Sequence, residues 1–168
     1  GMNAIVFQEM REKRSLAYTA RATYSIPNST AKPFMNNSFI ATQNDKVIDA
    51  FNAFNELFTD MPESETAFNL AKQSILSDIR TERITKLDII WSYLDAQKMG
   101  RKEDIRKTYF QTIPNITLAD IKKFQQEYVK GKPKTYVILG KESDFNFEEI
   151  EKLYGPVTKV SREQIFGY

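Results

Sequence analysis

Not one of the 168 residues is a cysteine or a histidine. Small domains are commonly stapled by disulfides or by a structural zinc, and this chain has neither the thiols nor the usual imidazole ligands. Its fold must therefore rest on packing and hydrogen bonds. The length permits that, because a chain of this size buries roughly 70% of its unfolded surface. Apolar residues make up 41% of the sequence, and Phe alone contributes 12 residues. The same absence limits chemistry: thiol nucleophiles, zinc fingers and the usual neutral-pH general base are excluded. An oxygen-ligand site for Mg or Ca would need an acidic loop of suitable spacing, and the sequence offers none.

Charge narrows the partners. The 24 basic and 22 acidic residues leave a net charge of +2. The two signs alternate along the chain, as on a solvated surface, with no basic stripe for nucleic acid. No run approaches the ~18 apolar residues of a membrane span. Glu9, Arg11, Glu12, Lys13 and Arg14 interrupt the first twenty residues, so no signal-peptide core is expected there. Gly1-Met2 reads equally as a tag scar or as native sequence, and the compartment stays open between bacterial periplasm and cytoplasm.

Periodicity supplies the architecture. Asn3–Lys13 reads as a helix with Ile5, Val6, Phe7 and Met10 near one face and Asn3 as its cap. The period then switches to two. Leu16, Tyr18, Ala20, Ala22 and Tyr24 would share one strand face, and Met35–Gln43 is the second strand of a hairpin. Asp45–Asp60, capped by Asn44 or Asp45, carries the widest apolar stripe: Val47, Ile48, Phe51, Phe54, Leu57, Phe58 and Met61.

Pro62 ends that helix. Further helices are expected over 63–84, over Lys86–Met99 with Ile89, Ile90, Tyr93 and Leu94 inward, over Lys102–Gln111, and over Leu118–Lys130 behind a Thr117 cap. Gly100 and Gly131 mark helix ends. Thr135–Leu139 reads as a buried strand, Phe147–Leu153 as a short helix and Val157–Val160 as an edge strand. The fold class is α/β (α+β), an antiparallel sheet with helices on one face, in a single domain over 1–168. Residues 1–140 form the main body, and 141–168 the terminal helix and edge strand. Three strands are few for so many helices, which predicts a domain truncated on its N-terminal side and prone to self-association.

One segment stands apart: Phe7-Gln8-Glu9-Met10-Arg11-Glu12-Lys13-Arg14-Ser15-Leu16-Ala17-Tyr18. It resembles a motif of the insulinase or pitrilysin family of zinc metallopeptidases. There, the half without the metal carries a helix ending in an Arg-Glu-Lys-Arg-like run, followed by a Leu-(Gly/Ala)-Tyr strand entry. Ala17 and Ser15 stand where glycine is common. Phe39-Ile40-Ala41-Thr42, Ala71-Lys72-Gln73-Ser74-Ile75-Leu76, the segment from Ile116 to Ile121 and Tyr136–Gly140 resemble later family elements, less specifically.

The resemblance implies a metallohydrolase fold like that of the mitochondrial processing peptidase. It also implies substrate-binding roles for Arg11 and Tyr18. In the family this pair reaches the active site held by the other half and grips the substrate carbonyl near the scissile bond. The family's metal motif, His-x-x-Glu-His, cannot exist in a chain without histidine. The resemblance is therefore to the inactive C-terminal domain of a zinc endopeptidase. It implies no cofactor and no catalytic residue in this chain, zinc in a partner N-terminal catalytic domain or subunit, and a peptide substrate.

Plainer readings stand beside this one. An arginine at a helix C-terminus is commonly a dipole partner, and a strand tyrosine is commonly core. Glu9, Glu12, Lys13 and Arg14 read as a solvated surface, and Trp91 as core or interface. The alternative function is a non-enzymatic scaffold or peptide-binding module. An α/β interaction domain whose motif match is accidental is a third.

Overall fold

The computed structural model describes residues 2–168 and the side chains from Ile5 onward. Gly1 and the side chains of Met2 to Ala4, including the cap expected at Asn3, lie outside the described residues. The described chain is mixed α and β: eight α-helices and one two-stranded antiparallel sheet.

Helix α1 (Met2–Phe7) widens into π-helical turns over Gln8–Lys13. The chain reverses at Ser15, whose φ of 48° lies in the left-handed region. Its N–H bonds to the Arg11 carbonyl at 3.1 Å, and that of Leu16 to the Met10 carbonyl at 2.9 Å, so the widened end is closed. A non-glycine residue in that region costs about 1–2 kcal/mol. Ser15→Gly is accordingly expected to raise stability by about 1 kcal/mol, read as a higher denaturant midpoint at unchanged slope. A drop in the midpoint would show that the serine side chain contributes more than the strain costs.

Strands β1 (Ala17–Ser25) and β2 (Met35–Thr42) follow as the expected hairpin. Their ladder is regular from Thr19↔Ala41 to Ser25↔Met35 and shifts register between Ala17 and Thr19. Helix α2 (Val47–Thr59) enters through a short 3₁₀ turn at Asn44–Lys46, so it starts with its apolar stripe at Val47, two residues after the expected boundary at Asp45.

The core is the junction of these pieces. Val6 and Met10 meet Ala20 and Ala22 of the sheet and Ala53, Phe54 and Leu57 of α2. The small sheet residues let the helices approach closely. Opposite them, Thr19, Arg21 and Thr23 face outward, with the Arg21 guanidinium 4.9 Å from the Phe39 ring centroid. Helices thus cover one face of the sheet.

The remaining helices are α3 (Glu65–Thr81), α4 (Lys86–Lys98), α5 (Ile105–Thr112), α6 (Leu118–Tyr128), α7 (Phe147–Tyr154) and α8 (Arg162–Phe166). Ser64 caps α3 and Asp104 caps α5. Thr117 and Asp120 form a reciprocal capping box on α6. There the Thr117 hydroxyl and N–H hold the Asp120 carboxyl below its ordinary value. Gly100 and Gly131 both take positive φ just beyond helix ends, as expected.

Two expected strands do not form. Thr135–Leu139 is extended but joins no ladder, and Val137 and Leu139 are 85% and 99% exposed instead of buried. Val157–Val160 likewise has no strand partner among the described residues. An apolar run makes a strand only when another edge lies within hydrogen-bonding reach, and β2 does not come close enough to either. On α4, Ile89, Ile90, Tyr93 and Trp91 are exposed and only Leu94 is half-buried, because nothing among the described residues covers that helix. The segment after 140 is tied back to α2. The Tyr154 hydroxyl bonds to Asn52 at 2.7 Å, and Ile150 is buried. Gly140 permits this return, since a Cβ there would fall 2.5 Å from the Phe145 ring.

Candidate functional site

Arg11 and Tyr18 come from different elements, and the chain reversal at Ser15 brings them together. The Arg11 guanidinium carbon lies 4.8 Å from the Tyr18 ring centroid and 4.9 Å from that of Phe7. Phe7 precedes Arg11 by one helical turn, the spacing at which helix side chains meet. A cation over an aromatic ring is worth roughly 0.5–1 kcal/mol at an exposed site. The two rings therefore fix the guanidinium weakly but in a definite place.

Tyr18 sits where the β1–β2 register shifts: Ala17 pairs with Thr42 and Thr19 with Ala41, so Tyr18 is the extra residue. Such an insertion re-aims a side chain. Strict alternation would put Tyr18 on the face of Ala20 and Ala22, which are buried, yet it is 80% exposed. The irregularity corrects the expected pattern and frees the tyrosine from the core.

The polar atoms are unspent. The Tyr18 hydroxyl makes no hydrogen bond among the described residues. The Arg11 side chain has one charged neighbour, Glu12, at a loose 3.7 Å from Nε. Arginine carries five N–H donors in a fixed fork, and most of this fork is available. The charges around the pair are already committed elsewhere: Lys13 to Glu9, and Arg14 to Glu56 at 2.5 Å. Glu12, Lys13 and Arg14 are exposed as expected, whereas the Glu9 side chain is largely covered.

The arrangement is a cation and a phenol side by side at an open corner, suited to donating to a carbonyl or an oxyanion. Among the described residues no three acidic side chains gather as a metal site, and no described helix is long and apolar enough to cross a membrane. Phe7 is the member that sequence reasoning missed as a site residue. It reads as part of the apolar face, and only its spacing from Arg11 marks it.

No protein-family model matches the chain, and comparison with curated proteins and with solved structures finds no match.

Proposed function

We propose that this chain is the non-catalytic partner domain of a zinc-dependent endopeptidase, of the insulinase or pitrilysin type and with that family's metallohydrolase fold. It closes one wall of a peptide chamber and donates from Arg11 and Tyr18 to the substrate backbone. The zinc belongs to the partner, an N-terminal catalytic domain or subunit bearing His-x-x-Glu-His. The observation that carries the reading is the contact between a half-buried Arg11, most of whose donors are free, and an exposed Tyr18. Water satisfies both donors in the isolated chain, so the support lies in their placement side by side at an open corner.

Hydrolysis of a peptide at zinc develops charge on the carbonyl oxygen. Donors fixed in advance where that charge appears stabilise it without reorganisation. Phe7 and Tyr18 keep the guanidinium in place, and the Tyr18 hydroxyl adds a second donor.

Reconstitution tests the proposal. A zinc domain bearing the metal motif is expected to hydrolyse peptides slowly alone and at least a hundredfold faster with this chain added. Equal rates with and without a tightly bound chain would favour the second reading, a non-enzymatic scaffold. One contact favours that reading: Arg11 bridging Phe7 and Tyr18 also ties the helix end to the strand entry.

A further inference from the structure

A large cleft lies away from Arg11 and Tyr18. It encloses about 1040 Å³ between β2, the upper side of α2 and the extended segment 132–139. Ligand pockets run from about 300 to 1,000 Å³, so this one lies at the upper end of that range.

Its two long walls are both unpaired polypeptide edges. β2 pairs with β1 alone, leaving its other edge open. Across the cleft, residues 133–139 make no backbone hydrogen bond among the described residues. Yet its side chains already follow a strand-like burial pattern. Tyr136 and Ile138 are half-buried, while Thr135, Val137 and Leu139 are exposed, an alternation of period two. Tyr136 is anchored from below: its ring lies 4.5 Å from Phe51, and its hydroxyl bonds to Asn55 at 2.9 Å. The floor of the cleft is apolar, formed by Val47, Phe51 and Phe54. On the β2 wall, the Asn36 amide is closed off from solvent with neither polar atom bonded.

The charges lining the cleft are of one sign. Lys132 and Lys134 are its only ionised side chains, and neither meets a carboxylate among the described residues. Lys134 donates to the Asn55 side-chain oxygen at 2.6 Å and lies 5.4 Å from the Phe58 ring centroid, both uncharged partners. Burial pushes its ammonium below the ordinary lysine value, as expected for a cation lacking its counter-charge.

We infer that this cleft receives a β-strand from another polypeptide chain, inserted between β2 and residues 135–139 and hydrogen-bonded to both. The strand is apolar at alternate positions, facing Phe51 and Phe54, and carries a carboxylate that meets Lys134. The open edge of β2 and the unbonded backbone of 133–139 line the same cleft, and unmet backbone groups on both walls favour a strand over a helix or a small molecule. Insertion would complete a continuous sheet over α2 and turn 135–139 into the strand its sequence predicts. The inference does not rest on the peptidase reading, because neither Arg11 nor Tyr18 lines the cleft.

The probe is a nine-residue peptide alternating valine and threonine, closed at both ends by glutamate, added to the intact chain. Hydrogen exchange is expected to slow at the amides of both β2 and 135–139. N-methylating alternate peptide amides, in either frame, removes the donors to one wall and is expected to weaken binding at least tenfold. Lys134→Glu is expected to weaken it about three- to tenfold, with recovery when the terminal glutamates become lysines. Lys134 is an exposed residue outside the core, so this variant is expected to stay folded by far-UV circular dichroism. Equal binding of the methylated peptides would overturn the inference, as would protection of one wall only. So would failure of the peptide to bind a folded chain, or protection of 135–139 by a second copy without peptide.

Discussion

If this chain is the peptidase partner we propose, Arg11→Ala is expected to lower the turnover of the assembled enzyme by about 10²–10³-fold, the usual loss when one oxyanion donor is removed. The loss should fall on kcat more than on KM, because the donors act on charge that develops only in the transition state. Arg11→Lys should recover little: an ammonium keeps the charge but not the planar fork or its stacking on Phe7 and Tyr18. Stability should change less. The Arg11 side chain is 40% exposed, and its two ring contacts together are worth about 1–2 kcal/mol at most. A large fall in melting temperature with unchanged turnover in the surviving folded fraction would make Arg11 a corner clamp.

The largest stability effect is expected at the other side of the same helical segment. Met10 is fully buried, the bulkiest side chain so enclosed. It contacts the region where α1, the sheet and α2 meet. Truncating a buried methionine to alanine costs about 2–5 kcal/mol, depending on how far the surroundings collapse. Here Ala20, Ala22 and Ala53 form much of the wall. Their positions are set by backbone, so the cavity cannot close by rotamer changes. Met10→Ala should therefore fall in the upper part of that range, and the melting temperature should drop by roughly 5–20 °C. Met10→Leu conserves volume and should cost less than about 1.5 kcal/mol. A cost below 1 kcal/mol for the alanine variant would mean that the helix–sheet junction is not the core.

What the sequence revealed depends on how local each feature is. The apolar stripe of α2, the Thr117 capping box and the glycines after α4 and α6 are written in neighbouring residues, and all are found. The hairpin is legible because β1 and β2 are adjacent in the chain. The exposure of α4 was not legible. Ile89, Ile90 and Tyr93 have helical spacing, but spacing does not say what covers them. Segment 135–139 has strand composition and alternation, yet a strand also needs a remote edge, and that is not encoded in the run itself. Ala50 and Ala53, both fully buried on α2, were overlooked because alanine contributes little to an apolar stripe. The α8 helix carries a capping box at Ser161 and Gln164 that the sequence displays and periodicity alone does not find.

The candidate site divides in the same way. Arg11 and Tyr18 are recognisable by resemblance, and their contact follows from the turn at Ser15. The widening of the helix over Gln8–Lys13 and the register shift at Tyr18 are not visible in the residues. Both change where the two side chains point.

The most direct measurement is a double-mutant cycle on kcat/KM of the assembled zinc peptidase, using Arg11→Ala, Tyr18→Phe and the pair. Residues donating to one oxyanion are coupled, so the account predicts large single losses and a combined loss smaller than their product. Wild-type kcat/KM in all three variants, with assembly intact, would contradict it.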